Sequence, residues 1–295
     1  MTRPPTRARR ETAEAPRGIG GVPPYPLPGP ITAFRVLGHG FEVTLDPARK
    51  EQLIGRDGPP NSDIKLPLPS ISRVHAMLSR PREGVLEVTD QGSRNGIGFA
   101  DRWSRCYVRC EVLGLNIGDR FKLGSVPLLA LDDQTHKLAK PLTEHFGPGA
   151  HEEVDHALEA IANSHMLNFY GQRGDQVVEL ARTLHEHSMR KDYPFTQVNA
   201  VPETEAAITE LCTQAGCGTI FLDLTKPFHV PPQFARNLVS DYFHLWPITV
   251  TSAPDEIYTR FRGVFSGATR AGFALCSLGF PAQALRLNVG SATFT

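Results

Sequence analysis

The hydrophobic pattern of this chain changes near residue 149, and that change constrains the fold more than any other sequence feature. From Ile31 to about Leu131, short apolar or alternating runs such as FEVTL, VLEVTD and VPLLALD are separated by glycine, proline and polar breaks. Short strands at such close spacing predict an antiparallel β-sandwich. After Gly149, helical patterns such as HEEVDHALEAIANS alternate with buried-type strands such as GTIFLDL, which predicts helices packed on a parallel sheet.

These patterns predict two folded domains, and 295 residues are enough for two. Residues 1–30 are rich in proline and arginine and are expected to form a disordered tail. The β-sandwich is predicted for residues 31–131, and the polar, proline-containing stretch 132–148 is interpreted as a linker. The α/β domain is predicted for residues 149–261. Residues 262–295 are left unassigned.

Charge and composition narrow the classes of function. Lys+Arg and Asp+Glu are both 31, so the chain has no global field that would draw it to DNA or to an anionic membrane. There is no apolar run of about 18 residues, and the first residues lack the apolar core of a signal peptide. We therefore expect a cytoplasmic protein with no membrane association and no direct DNA binding.

Five cysteines are scattered along the chain. Cys106 and Cys110 have a spacing that metal ligands can use, but no second Cys/His pair accompanies them in a typical arrangement. The sequence therefore predicts no metal site and no cofactor.

Four separated motifs stand in the first half: G-R at 55–56, S-R-V-H at 72–75, G-S-R-N-G at 92–96 and G-D-R-F-K-L-G at 118–124. Any one of them alone could be an ordinary turn. In this order and spacing they resemble the motifs of the forkhead-associated (FHA) domain, with Asp90 at the acidic position before the asparagine. The resemblance covers roughly residues 33–131.

The resemblance implies a site for phosphothreonine, which carries nearly two negative charges and three acceptor oxygens. By resemblance, Arg56 would bind the phosphate, and Ser72 would donate its hydroxyl to it. Asn95 would hold the backbone of the bound peptide. Arg73 and Arg94 occupy neighbouring loop positions that add phosphate or peptide contacts. The implied partner is a phosphothreonine-containing protein, a Ser/Thr kinase or one of its substrates.

Three further residues of these motifs have implied structural roles in the binding loops. The resemblance implies that His75 braces the loop that carries Ser72 and does not touch the ligand. Gly55 belongs to the first motif, and Gly96 would permit the turn after the asparagine.

The second half carries a different set of residues in register, and it resembles the AAA+ domain of bacterial enhancer-binding (sigma-54-type) transcription activators. The resemblance covers roughly residues 149–261 and implies a P-loop-NTPase-like α/β fold. It rests on Ala181-Arg182, His185, Ser188, Arg190, Pro194-Phe195, Asn199 and G-T-I-F-L-D at 218–223.

The nucleotide site that this resemblance implies is degenerate. Gly171 and Gly174 of the phosphate loop are kept, but Val177 stands where the phosphate-binding lysine is expected. Asp223 is kept, and Leu224 replaces the acid that positions water. Loss of the lysine and the acid removes most of the transition-state stabilisation, so no ATP hydrolysis and no enzymatic activity are expected.

The leading hypothesis is a signalling adaptor that binds phosphothreonine and uses a catalytically inactive AAA+ domain for protein interaction. Two alternatives stay open. One is a transcription regulator that retains nucleotide sensing, and the other is a modulator of an intact AAA+ partner. The sequence does not establish the oligomeric state of the protein.

Overall fold

The computed structural model describes residues 29–58, 61–81, 85–100, 107–163, 165–171, 174–226, 229–238, 244–261 and 275–279. The first half of the described chain is a sandwich of two sheets. Its strands are β1 (Ile31–Val36), β2 (Phe41–Thr44), β3 (Glu51–Gly55), β4 (Ile64–Lys65), β5 (Ala76–Ser79), β6 (Leu86–Asp90), β7 (Ile97–Ala100), β8 (Tyr107–Cys110), β9 (Val112–Leu115), β10 (Arg120–Leu123) and β11 (Val126–Asp132).

The two sheets of the sandwich enclose one apolar core. One sheet has the order β2-β1-β11-β10-β7-β8 and the other β4-β3-β5-β6-β9. Among the described strands of the sandwich, pairing is antiparallel except between β3 and β4. Alternate residues of β5, β6 and β10 are buried, as half-buried strands require. The predicted antiparallel β-sandwich is therefore confirmed.

The second half is built on a parallel sheet whose order is β13-β14-β15-β12-β16. All residues of β14 and β15 are buried, as expected for a sheet covered on both faces. The predicted parallel sheet is thus confirmed. Its strands are β12 (Met166–Tyr170), β13 (Phe195–Val198), β14 (Thr219–Asp223), β15 (Trp246–Thr251) and β16 (Leu275–Gly279).

Helices cover the two faces of this sheet. Helices α3 (His151–Ala162) and α4 (Gly174–His187) share one apolar cluster with the sheet. A second cluster joins it to α5 (Glu205–Ala215), α6 (Pro232–Leu238) and α7 (Glu256–Arg260). Strand β16 lies in the segment that the sequence left unassigned, and it pairs in parallel with β12.

The stretch interpreted as a linker, residues 132–148, instead forms helices α1 (Asp133–Lys137) and α2 (Ala139–Phe146). Leu138, Leu142 and Phe146 recur every four residues, which places them on one helical face, and all three are buried. The Asp132 side chain accepts a hydrogen bond of 2.8 Å from the backbone N–H of Thr135 and caps α1. The many polar residues around this apolar stripe explain why the sequence suggested a linker.

A buried ion pair joins the two halves of the chain. Arg35 of β1 and Asp155 of α3 are 3% and 4% exposed, and the guanidinium Nε donates to the carboxylate at 2.7 Å. The second carboxylate oxygen accepts from the backbone N–H of Gly38, also at 2.7 Å. Arg35 additionally pairs with Glu42, at 3.1 Å. Because Arg35 and Asp155 are both removed from water, Asp155 depends on Arg35 for compensation, and Arg35 depends on Asp155 and Glu42.

Further polar contacts between the two halves of the chain lie on either side of this ion pair. Glu42 lies 2.8 Å from His136 of α1, and this hydrogen bond raises the pKa of the imidazole above its ordinary value. On the other side, Arg120 pairs with Glu159, and the Asn163 amide donates to the Gly118 carbonyl at 3.1 Å. The described parts of the sandwich and of the α/β half therefore pack directly against each other.

Apolar side chains complete this contact. Leu37, Leu129 and Leu131 of the sandwich belong to the same buried cluster as α2, α3 and α4. The contact involves the β1–β2 turn and the start of β10, and β10 leads from there to the opposite end of the sandwich. The loops at that opposite end carry the predicted site residues.

Candidate functional site

Three loops meet at the end of the sandwich that faces away from the α/β half, and they contain the predicted phosphopeptide residues. The backbone N–H of Arg56 donates to the Ser72 carbonyl at 2.8 Å. The backbone N–H of Arg94 donates to the Ser72 hydroxyl oxygen at 3.1 Å. The Asn95 side-chain amide donates to the Ser70 carbonyl at 2.8 Å. Residues of three separate motifs are thereby brought around Ser72.

The buried side chain of His75 connects two of these loops through its ring nitrogens. Its ring is fully buried, its Nδ1 accepts from the Ser72 backbone N–H at 3.0 Å, and its Nε2 lies 3.0 Å from the Gly96 carbonyl oxygen. This pattern requires a neutral ring with the proton on Nε2. Burial lowers the pKa of His75 below its ordinary value, which favours that neutral form. The geometry agrees with the structural role that the resemblance implied.

The two glycines predicted in the binding loops have distinct reasons to be glycine. A Cβ atom on Gly55 would lie 2.0 Å from the Arg73 carbonyl oxygen, so a side chain would push the two loops apart. Gly96 has φ +74°, a left-handed conformation that other residues rarely adopt. Its backbone N–H donates to the Ser93 hydroxyl at 2.9 Å, which fixes the turn after Asn95.

Three residues that were not among the predicted ligand-binding residues also stabilise the loops. The Ser62 hydroxyl donates to the Arg73 carbonyl at 2.9 Å, and the Ser70 carbonyl receives the Asn95 amide. Asp90 accepts from the Ser93 backbone N–H at 3.1 Å. Neither Ser62 nor Ser70 was predicted, since a small polar residue in a loop has no signal of its own.

The groups that could meet a ligand remain accessible. Arg56, Arg73, Arg94 and Asn95 are exposed, and Ser72 is partly exposed. Among the residues that the structure describes, no carboxylate pairs with any of these three guanidinium groups. The neighbouring Asp57 is already bound by Lys65 at 2.9 Å, and that contact lowers the pKa of its carboxyl group.

This arrangement suits an anion with several acceptor oxygens. The Ser72 oxygen accepts from Arg94, so its own O–H is left as a donor. Arginine guanidinium groups supply further charge-assisted donors of the kind that bind phosphate. Asn95 uses one amide hydrogen internally and keeps its carbonyl oxygen and second hydrogen for a bound backbone.

The residues of the predicted degenerate nucleotide site lie elsewhere, at the carboxyl edge of the parallel sheet. Gly171 follows β12, Gly174 begins α4, and Asp223 ends β14. Val177 and Leu224 are fully buried in the two apolar clusters that flank the sheet. Burial opposes ionisation of Asp223, but bonds from Thr225 and Lys226 outweigh it and lower the pKa of the carboxyl group.

The described residues show neither a metal-binding cluster nor a helix that could span a membrane. They contain no group of three or more His, Cys, Asp or Glu side chains placed to hold a metal ion, and Cys106 lies outside them. None of their helices has the length and apolar character needed to cross a membrane.

Comparison with known families identifies the domain at residues 53–124. Residues 53–124 match the family model of the FHA domain, which confirms the predicted domain at these residues. No curated protein matches the chain at a significant level.

Similar solved structures cover about a third of the chain. An FHA domain from Chlamydia trachomatis is 28% identical, with coverage of 35% of this chain and 97% of that chain and a TM-score of 0.29. EmbR of Mycobacterium tuberculosis, solved with a low-affinity phosphopeptide, is 20% identical, with coverage of 35% and 24% and a TM-score of 0.29. The FhaA FHA domain, solved with the intracellular domain of Rv3910, is 23% identical, with coverage of 34% and 99% and a TM-score of 0.26.

Proposed function

We propose that this protein is a non-enzymatic signalling adaptor that binds phosphothreonine on a partner, a Ser/Thr kinase or one of its substrates. The observation that carries this proposal is the bonding of both the Arg56 and the Arg94 backbone to Ser72, at 2.8 and 3.1 Å. The backbones of two exposed arginines are therefore held against one serine whose hydroxyl group is left as a donor. A phosphate with nearly two negative charges fits such a set of donors. The match of residues 53–124 to the FHA family model supports the same function.

The proposal is tested with the full chain and three matched peptide libraries that carry phosphothreonine, phosphoserine or unmodified threonine at a fixed position. We expect phosphothreonine peptides to bind at least about tenfold more tightly than unmodified ones, because each charge-assisted bond to the phosphate is worth about 1.5–3 kcal/mol. Phosphatase treatment of the first library is the control and should abolish the difference. Equal binding to all three libraries would contradict the proposal.

We propose further that the second half is a degenerate AAA+ domain that serves as a protein-interaction scaffold. Two features support this. Val177 and Leu224 are packed in the core, so neither position offers a polar group to a nucleotide. The carboxylate of Asp223 is engaged by Thr225 and Lys226, at 2.5 and 3.0 Å, and is not free to bind a metal ion without breaking these contacts.

A thermal-shift measurement with MgATP and a non-hydrolysable analogue separates this scaffold from a nucleotide-sensing regulator. We expect no stabilisation at about 1 mM nucleotide. A site with a Kd of about 10 μM would instead stabilise the fold by about 2.7 kcal/mol and raise the Tm by several degrees. A phosphothreonine peptide that binds the sandwich provides the positive control. A clear shift with nucleotide would overturn the scaffold proposal and favour nucleotide sensing.

A further inference from the structure

One cation belongs to none of the motifs but lies beside the loops that carry Arg56, Ser72 and Asn95, here called the recognition loops. Arg109 lies in β8, which pairs antiparallel with β7, and β7 begins directly after Asn95 and Gly96. A Cβ atom built on Gly96 would lie 2.4 Å from the Arg109 Nε and 2.8 Å from its Cζ. The guanidinium therefore occupies the space that a side chain at residue 96 would need, one residue from Asn95.

The Arg109 guanidinium packs against Gly96 on one side and is exposed to solvent on the other. Gly96 is buried, while Arg109 itself is exposed. The guanidinium thus covers the backbone of the recognition loop and presents its remaining surface to solvent. A planar group with several donors in fixed directions is suited to bind a carboxylate or a phosphate.

A second cation lies on the same face of the sheet. Lys122 of β10 and Arg109 of β8 both stand opposite Gly98 of β7, so their side chains flank a residue without one. The Lys122 ammonium group lies 3.8 Å from the centroid of the Tyr107 ring. Among the described residues, no carboxylate forms an ion pair with either cation. This face therefore adds positive charge next to Asn95.

We propose that Arg109, with Lys122 beside it, forms an anion subsite that continues the phosphothreonine site and selects peptides with an acidic side chain near the phosphothreonine. The inference rests on the proposed function and names the class of peptide that the site prefers. An extended peptide advances about 3.3 Å per residue, so the acidic side chain is expected within about four residues of the phosphothreonine. It lies on the side of the peptide that passes Asn95.

The test is an aspartate scan. Peptides with one phosphothreonine and neutral flanks receive a single Asp at each of about four positions on either side, and the affinity for the full chain is measured by fluorescence anisotropy. One or two adjacent positions on one side should increase affinity roughly threefold to tenfold, the range for a partly exposed charge-assisted pair. Arg109→Gln should remove this gain and leave affinity for the neutral peptide within about twofold.

Two further variants exclude a merely structural effect of residue 109. Arg109→Lys keeps the charge and should retain part of the gain, whereas Arg109→Glu should reverse the preference towards lysine at the same peptide position. Lys140→Gln is the matched control for net charge, because Lys140 is 84% exposed on α2 in the other half of the chain. This control should leave the scan unchanged.

The outcomes separate this inference from the function on which it rests. If no phosphothreonine peptide binds, both fail. If these peptides bind but the scan is flat, or the gain persists in Arg109→Gln, only the acidic subsite fails. Peptides with phosphoserine in place of the Asp provide a last arm: a gain with phosphoserine and none with Asp would overturn the preference for carboxylates and assign the subsite to a second phosphate.

Discussion

Replacing Arg56 by alanine is expected to weaken the binding of a phosphothreonine peptide by about a hundredfold or more. Arg56 follows β3 directly, is exposed, and has its backbone N–H bonded to the Ser72 carbonyl, which places the residue beside the predicted phosphate position. Removing a charged partner from a hydrogen-bonded ion pair costs about 2–5 kcal/mol when the pair is desolvated, which gives this range. Isothermal titration calorimetry of the full chain measures the change directly.

Lys50→Ala is the matched control for this experiment. Lys50 precedes β3 at the opposite end of the same strand and is also exposed, so its loss changes the net charge equally without touching the recognition loops. Both variants should unfold at the wild-type temperature, because neither side chain is part of the core. Wild-type affinity in a folded Arg56→Ala variant would show that phosphate is not bound here.

Replacing Asp155 by alanine is expected to reduce the free energy of unfolding by more than about 1 kcal/mol and by at most about 3–5 kcal/mol, the cost of leaving a buried charge with no partner at all. The substitution removes the carboxylate at 2.7 Å from the buried Arg35 guanidinium, leaves Glu42 as its one remaining ion-pair partner, and removes the acceptor of the Gly38 N–H. Urea denaturation followed by circular dichroism measures the loss. Glu152→Ala in the same helix is the control, and since Glu152 is exposed it should cost under about 1 kcal/mol.

A double variant makes the cause of this loss explicit. Arg35→Met combined with Asp155→Ala removes both charges, and it should recover part of the lost stability relative to Asp155→Ala alone. The phosphopeptide affinity of the single variant should stay at the wild-type value under conditions where it is folded, because the contact lies at the other end of the sandwich. A loss under about 1 kcal/mol in Asp155→Ala would mean that Glu42 is sufficient to compensate the charge of Arg35.

Local patterns made most of the sandwich and its site predictable. Each motif residue acts within its own turn or across one hydrogen bond, as Gly96 does through its positive φ and His75 through its two ring nitrogens. The order and spacing of the motifs were therefore enough to predict which loops come together. The buried strands and amphipathic helices of the second half were equally visible from their periodicity.

Features that depend on distant partners were not predictable in the same way. Arg35 and Asp155 are 120 residues apart, and nothing near either of them signals a buried ion pair. Strand β16 is recognised by its pairing with β12, which lies more than a hundred residues earlier in the chain. Helices α1 and α2 were missed because the apolar stripe of Leu138, Leu142 and Phe146 has only three members, and what stabilises α2 is burial of this stripe in the cluster shared by both halves.

The buried contact between the halves also sets the geometry of any bivalent partner. Strand β10 separates Gly118, at the contact with α3, from Gly124, beside Asn95, and these six residues span about 20 Å when extended. A partner that binds the recognition loops and the α/β half at once must span at least that distance with its own chain. This takes about six extended residues. Because the ion pair and the shared core fix the spacing, avidity is gained only by partners whose two segments match it, and shorter linkers gain none.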